Sequence, residues 1–359
     1  MSLLGEYWFP LGHVSEFPIG VISRRTLHGE PLVIARAEGK WLAAREACAH
    51  RGASLADGFV SGSSFVCPYH GMRTRCSSAR EAGEPNGFIS TVSVRVAGEL
   101  VFVTLAARPP DFPYFSVLEQ VDRAERGYRA RFAHVRCNWQ LAAENTLDPS
   151  HLEFLHSRGR AARGVLSDRE TRARHQSGLS FEETDLGIVK RRRLVGQGTD
   201  SEDWAIGQSY YFPSVFSISS PGFIELHFRS PLSLTETLYV WYRVEEDSDP
   251  QTRSWSECPL RRDKDGRVHP DDLDSEDIMV LESQERLRGT MSEHLTQADA
   301  GVRLLRDMLD REATRLKQQE PVKGLSYSGD DVRIEVPVRR NTQKVVDDLR
   351  LLSLQGGRV

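Results

Sequence analysis

Cysteine is scarce in this sequence. Five cysteines in 359 residues form an odd, scattered set, which excludes a disulfide framework. No apolar run approaches the roughly 20 residues that a membrane-spanning helix needs. Neither sign of charge dominates: 47 basic and 51 acidic side chains leave a formal net charge of −4. That balance gives no sign of a nucleic-acid or membrane-surface binder. The opening stretch MSLLGEYWFPLGH has no basic start and no long apolar core, and Glu6 interrupts it early. A secretory signal is therefore not expected, and a cytoplasmic location is. In a reducing compartment a local group of cysteine and histidine binds metal or does chemistry. Internal repeats and low-complexity tracts are also missing.

What is present suits a globular protein with a real core: 39% of residues are hydrophobic and 27% charged. At about 150 residues per domain the length suggests two domains, and the pattern divides near residue 110. Before it lie short apolar runs separated by turns: Pro31 to Arg36, Trp41 to Ala44, Phe65-Val66, Ile89 to Val96 and Leu100 to Leu105. The run from 89 to 96 alternates as one half-buried strand would. Arg108-Pro109-Pro110-Asp111-Phe112-Pro113 is a natural linker. After it, 139–147 favours helix, 208–243 reads as strands, and 275–290 and 297–317 show helical spacing. In the last of these, Val302, Leu305, Leu309 and Leu316 recur near a 3.6-residue period. Residues 246–275 read as an exposed polar excursion.

Two groups of residues carry chemistry. The first is Cys48-Ala49-His50 and Cys67-Pro68-Tyr69-His70. Two thiolates and two imidazoles suit a tetrahedral zinc ion, or a [2Fe–2S] cluster with both cysteines on one iron and both histidines on the other. Zinc sites usually draw each clip from one residue type. Here each clip mixes Cys with His, so each loop can supply one ligand to each iron, which favours the cluster. Gly52 and Gly71 follow the clips, where the backbone must curl.

The second is the stretch Asn138-Trp139 to His156, with Asn145, Asp148, His151 and His156. Two neutral imidazoles and one carboxylate make the facial triad that holds non-haem Fe(II) with positions open for O2 and substrate. On an ideal helix, residues five apart are separated by roughly 140°, so His151 and His156 would not share a face. Joint ligation thus predicts a broken helix, a π-bulge or a turn between them, and Pro149 supplies a break. Asp148 before Pro149 also suits a helix cap. The carboxylate is sought among the acids of 270–285, in particular Glu276, Asp277 and Glu282, with a Ser275 cap placing Asp277 in the first helical turn.

Taken together, the two clips, the run to His156 and the segment Glu276-Asp277 to Gln284 resemble the oxygenase component of the Rieske non-haem iron oxygenases. The resemblance runs over essentially the full length and is closest in style to the vanillate-demethylase-like monooxygenases. Met72 stands where the family usually has an aromatic or Leu, and Thr74-Arg75-Cys76-Ser77 departs from the usual aromatic-acidic turn, so Cys76 is not expected to be a ligand.

The resemblance implies an α+β fold. An all-β Rieske domain (1–110) would precede a helix-grip-like catalytic domain (111–359) with an antiparallel sheet and C-terminal helices. It implies Cys48, His50, Cys67 and His70 as cluster ligands, and His151, His156 and Asp277 as ligands of mononuclear Fe(II). Asp148 would link His151 to His70 of a neighbouring subunit, and Asn145 would lie close to the iron. O2 is the implied co-substrate. With no flavin or nicotinamide fingerprint in the chain, electrons would come from NAD(P)H through a separate reductase or ferredoxin. A homotrimer is implied. The expected reaction is hydroxylation or oxidative demethylation of a small, partly apolar organic or aromatic compound, in catabolism or natural-product tailoring. Pocket candidates are Phe216, Ile218, Phe223, His227, Tyr239, Trp241 and Leu281. The competing reading is a Rieske electron carrier with a non-catalytic accessory domain, which leaves the second group of residues unexplained.

Overall fold

The computed structural model describes residues 5–76, 87–106, 109–110, 112, 115–158, 176–194, 207–220 and 222–318. The linker reading at 108–113 falls partly outside the described residues. Strands β1 (Phe9–His13), β2 (Ile22–Leu27), β3 (Glu30–Ala37), β4 (Lys40–Arg45), β5 (Phe59–Ser61), β6 (Ser64–Val66), β7 (Arg73–Arg75), β8 (Gly87–Ile89), β9 (Ser93–Ala97) and β10 (Leu100–Thr104) fill the first part. They form three small sheets, in the orders β1-β10-β9, β2-β3-β4 and β5-β6-β7-β8.

The continuous apolar run of β3 has a direct cause: it is buried on both faces. Leu32 and Ile34 pack with Phe9, Phe17 and Val101, while Val33 and Ala35 pack with Leu55, Phe65, Cys48 and Cys67. The second of these cores therefore supports the loops that carry the Cys/His clips. The run 89–96 is not one strand, because it is interrupted between β8 and β9. There the Ser90 hydroxyl donates to the Ala43 carbonyl and accepts from the Val92 N–H, bending the chain away from the ladder.

The second part holds α1 (Ser116–Asp122), β11 (Tyr128–Val135), α2 (Trp139–Leu147), α3 (Ser150–Glu153), β12 (Gln176–Thr184), β13 (Gly187–Leu194), β14 (Gly207–Tyr211), β15 (Val215–Ser220), β16 (Phe223–Pro231), β17 (Thr237–Glu245), β18 (Arg253–Glu257), α4 (Leu273–Leu287) and α5 (Ala300–Lys317). The eight strands form one sheet, ordered β12-β13-β14-β15-β16-β17-β11-β18. Every neighbouring pair is antiparallel except β11 with β18, which is parallel. The edge strand β18 lies inside the segment expected to be an irregular excursion. Its sequence, Arg-Ser-Trp-Ser-Glu, buries only one aromatic in part and so carries a weak apolar signal.

Alternation along β16 and β17 gives this sheet two working faces. Leu226, Phe228, Leu238, Val240 and Tyr242 pack against Leu100, Phe102, Phe115 and Leu118, joining the two parts of the chain through a shared core. Each such buried side chain contributes roughly 1.5–3 kcal/mol. Tyr239, Trp241 and Phe216 face the opposite way, toward α2, α4 and α5. On that side Arg306 of α5 holds the buried Glu144 of α2 through two bonds of 2.7 Å.

A polar knot also crosses between the parts. The Ser15 N–H donates to Nδ1 of His13, whose Nε2 lies 2.6 Å from the Tyr128 hydroxyl. That hydroxyl donates to Glu99 at 2.6 Å, and Arg253 closes on the same carboxylate.

Candidate metal centres

The two Cys/His clips sit on loops of matching design. The Gly52 N–H donates to the Cys48 carbonyl (2.7 Å) and the Gly71 N–H to the Cys67 carbonyl (3.0 Å). Cys48 N–H and Cys67 N–H donate to the carbonyls of Ala53 and Met72. Both glycines take positive φ, +74° and +68°, which closes each loop back on itself. The thiols of Cys48 and Cys67 hydrogen-bond to each other, and the His50 and His70 rings lie 4.9 Å apart between centroids. The cysteines are buried and the histidines exposed. Burial pushes the Cys48 thiol up. It acts the same way on Cys67, where backbone N–H groups of Tyr69 and His70, with Cys48, outweigh it and bring the group below its ordinary value. Paired thiols under amide donors, with paired imidazoles facing outward, fit a two-iron cluster that has one buried and one exposed iron. Met72 packs against this core. Burial pushes the thiol of Cys76 up to about 12, outside the Cys48/Cys67 pair.

The second group begins on α2. Asn138 caps it by accepting from the Gln140 N–H (2.8 Å), and the helix ends at Asp148-Pro149. The chain restarts as the single turn α3 and widens into a π-helical turn, Phe154–Arg158. This break changes the angle between His151 and His156 so that their rings lie 5.2 Å apart between centroids, edge to face. From the other side α4 begins at a capping box: the Asp272 carboxylate accepts from the Ser275 N–H and the Ser275 hydroxyl accepts from the Asp272 N–H, both 2.8 Å. The cap is thus Asp272 rather than Ser275, and Asp277 lies beyond the first turn.

The three side chains converge. One ligand atom from each of His151, His156 and Asp277 lies within 4.8 Å of the others. His156 Nε2 is 3.1 Å and His151 Nε2 3.5 Å from Asp277 Oδ1. His156 Nδ1 lies 2.8 Å from Glu276, which is 1% exposed. An Nδ1–H donated to Glu276 leaves the Nε2 lone pair facing a carboxylate oxygen, an arrangement that requires a cation between them. Burial depresses His156, but Asp277 and Glu276 more than offset it and hold the imidazole above its ordinary value. His151 shifts downward through burial, while Asp277, raised by burial, is brought below its usual range by the two histidines and Asn145. Asn145 Nδ2 donates to Asp277 at 3.4 Å. Two imidazoles and one carboxylate, converging beside an open cavity, fit ferrous iron.

Of the alternative acids, Glu276 supports the far side of His156, and Glu282 is engaged by Arg262 (2.7 and 2.8 Å). Asp148 takes the capping place that its position before Pro149 suggested. Its carboxylate accepts from the Ser150 N–H (2.9 Å), capping α3, while Nδ1 of His151 has no hydrogen-bond partner among the described residues. The helix restart after Pro149 leaves an orphan N–H next to Asp148, and the carboxylate takes it.

A cavity of about 180 Å³ opens beside Asp277 and His151. Phe216, Ile218, His227, Tyr239 and Trp241 line it as expected, with Asn145, Lys190, Gln208, Arg229 and Asp274 among the others. Phe223 and Leu281 do not: Phe223 sits under Arg243 at the far end of β16, and Leu281 is in the core behind Tyr239. A larger cavity of about 810 Å³ lies between α2, the end of α4 and α5, and none of the three converging residues lines it.

Comparison with known proteins decides the family. Residues 7–87 match the family described as the Rieske [2Fe-2S] domain, and residues 135–315, just over half the chain, match the vanillate O-demethylase oxygenase C-terminal domain. The chain is a Rieske non-haem iron oxygenase. This oxygenase is 25% identical over 355 residues to the 5,5'-dehydrodivanillate O-demethylase oxygenase subunit of Sphingobium sp., covering 90% of this chain and 79% of the relative. It is 28% identical over 151 residues to the vanillate O-demethylase oxygenase subunit of a Pseudomonas species, covering 40% and 42%. Among solved structures, NdmA of Pseudomonas putida CBB5 shares its fold with a TM-score of 0.62 at 20% identity, over 89% of this chain and 93% of that one. Dicamba monooxygenase does so with a TM-score of 0.61 at 17% identity, over 87% and 98%.

The oxygenase uses a [2Fe–2S] Rieske cluster, a mononuclear iron and O2, with electrons from a separate reductase or ferredoxin, to hydroxylate or oxidatively demethylate a small organic compound. The Asn145, His151, His156 and Asp277 constellation has no part in a bare electron carrier. No helix among the described residues is long and apolar enough to cross a membrane.

Proposed function

We propose that this oxygenase hydroxylates or O- or N-demethylates a single-ring aromatic compound in the cavity beside Asp277, with Cys48, His50, Cys67 and His70 holding the cluster and His151, His156 and Asp277 holding the iron. The carrying observation is the convergence of those three side chains at one edge of a cavity with aromatic walls. Two relatives support a single aromatic ring, being named for the demethylation of vanillate and dicamba, while others are named for the larger dehydrodivanillate and methylxanthine.

When bound, the iron supplies O2 activation at positions left open by its three protein ligands. The chain's own work is positional. Glu276 fixes the tautomer and ring plane of His156, and Asn145 steadies the Asp277 carboxylate. Trp241, Tyr239 and Phe216 wall the substrate and keep water from it. The exposed edges of His50 and His70 are the natural exit for electrons. Asp148, at intermediate burial in the single chain, serves as the bridge from His151 to His70 of a neighbouring subunit in a homotrimer. The missing partner at His151 Nδ1 supports a rearrangement of Asp148 on assembly. A domain boundary near residue 110 and a cytoplasmic location belong to the same reading.

The test is product analysis with a reductase, NADH, O2 and a panel of methoxylated, N-methyl and unsubstituted aromatic compounds. Formaldehyde with the demethylated product, or a hydroxylated ring, is the expected outcome. Oxygen uptake without product from any aromatic compound would sink the reading.

A further inference from the structure

The larger cavity, of about 810 Å³, lies apart from the iron ligands. Its walls are α2, the end of α4 with residues 288–293, and α5. Trp139, Leu141, Leu287, Met291, Leu309 and Ala313 give it an apolar floor. Met291 is 85% exposed. Leu234, at 83%, is tied to the same rim, because its carbonyl accepts from Nδ2 of Asn138, the residue before Trp139, at 2.8 Å. These are the two most exposed large apolar side chains among the described residues. An apolar slot left open to water carries a cost that a covering partner removes.

The lip of the slot is acidic. Glu144, Glu293, Asp310 and Glu312 line it against only two bases, Arg288 and Arg306. Its exposed lining falls well short of the roughly 800 Å² per partner that a stable interface between separate chains buries. A tethered segment needs far less, because its link holds it at a millimolar effective concentration.

This chain has such a segment. Leu309 and Ala313 of α5 wall the slot and lie roughly 6–12 Å back along the helix from Lys317. Residues 319–359 follow and lie outside the described residues. In their sequence Val345, Leu349 and Leu352 have the spacing of one apolar helical face, with Val346 next to it and Asp347 and Arg350 away from it. Arg339, Arg340, Lys344 and Arg350 outnumber Asp347 and Asp348, so the stretch is basic where the lip is acidic. As a coil the intervening 319–343 would span roughly 25–30 Å, enough to lead back to the slot.

We propose that residues 343–354 of the same chain fold back and cover this slot, with Val345, Leu349 and Leu352 on its apolar floor. The segment is then a strap across α2, α4 and α5, and it braces from outside the two helices that carry Asn145 and Asp277. This holds whatever compound the oxygenase oxidises.

Photochemical cross-linking in the full-length protein tests it. p-Benzoylphenylalanine replaces Met291 in one variant and Leu287 in another, and circular dichroism of each checks that it is folded. After irradiation, peptide mass analysis should find coupling to residues 343–354 from at least one position, in material that runs at the mass of a single chain under denaturing conditions. Leu349→Asp combined with Leu352→Asp should lower that yield at least about tenfold, since burying one leucine is worth about that factor, and should leave the Rieske spectrum unchanged. Coupling to 343–354 only in material of twice the chain mass would give the slot to a second copy and overturn the proposal. Coupling to other segments alone, no coupling from either position, or a yield that survives the double substitution would overturn it equally.

Discussion

Nδ1 of His156 lies 2.8 Å from the carboxylate of Glu276, and both side chains are buried. The neighbouring residue Asp277 meets the other ring nitrogen at 3.1 Å, so one imidazole is held between two adjacent acids of α4. The two acids have different work. Asp277 shares its space with His151, whereas Glu276 touches His156 alone among the converging side chains and sets which nitrogen is free.

Glu276→Gln keeps an acceptor for Nδ1–H and removes the charge that makes the imidazole a stronger donor. Ferrous iron affinity should fall about 10- to 100-fold, as for outer partners of metal-bound histidines generally. Competition against a chelator measures it. The Rieske spectrum should be unchanged, because the cluster loops pack in a separate core. Unaltered iron affinity would mean that Glu276 does no more than fill space.

Removing a ring outright separates the two centres. His151→Ala and His156→Ala should each lower iron from about three to about two atoms per chain, abolish product formation and leave the spectrum of the reduced cluster as it was. Loss of that spectrum in either variant would contradict the division of ligands. Cys67→Ser should do the opposite, with the cluster signal lost.

An irregularity between His151 and His156 was legible because a five-residue spacing leaves few ways to bring two rings together, and a π-bulge was among the forms expected. Pro149, expected to supply the break, precedes both histidines, and the π-helical turn Phe154–Arg158 is what lies between them. The end of α2 was legible because Pro149 stops the helix-favouring run 139–147, whereas the cap at Asn138 emerged only from the structure. Glu276 and Asp277 differ by one helical step, and spacing alone does not say which faces the metal and which faces the back of a ligand. Arg229 passed unnoticed for a different reason. On an alternating strand a charged residue reads as solvent-facing, but both faces of β16 are covered, one by the core shared with Leu100 and Phe102 and the other by the helices. Similarly, β18 is held by backbone pairing to β11 with little apolar content of its own, so no periodicity announces it.

Two glycines with positive φ should respond differently to the same change. Gly39 (φ +73°) sits in an open turn, and a Cβ there meets nothing within 4 Å. Gly98 (φ +57°) sits where the two parts of the chain join: a Cβ would lie 2.6 Å from Leu118 Cδ2 and 2.9 Å from the Tyr242 hydroxyl, which donates to the Gly98 carbonyl. Gly39→Ala should cost about 1–2 kcal/mol from backbone conformation alone. Gly98→Ala should add about 1–3 kcal/mol of overpacking and lower the thermal midpoint clearly more. Equal midpoints for the two variants would show that the junction yields without cost.

The knot around His13 makes that junction sensitive to acid. His13 Nδ1 accepts from the Ser15 N–H, so the neutral ring carries its proton on Nε2, facing the Tyr128 hydroxyl and Glu99. Burial is the largest influence and holds the folded imidazole below its ordinary 6.5, although Glu99 opposes it. Once pH falls below about 6.5 the unfolded chain takes up a proton that the folded one refuses, so stability is lost as pH falls through that window. Glu99 acts lower down. Burial raises it, but Tyr128, Arg253 and His13 together bring it below its ordinary 4.5. Its contribution is therefore present above 4.5 and lost as pH falls through the folded value. His13→Asn keeps an acceptor for the Ser15 N–H and removes the titration. Its thermal midpoint should fall less steeply than that of the unaltered protein in the window just below pH 6.5, and less steeply below 4.5 as well, because His13 is one of the groups that hold Glu99 down. Parallel curves through the upper window would show that His13 is not the group being protonated there.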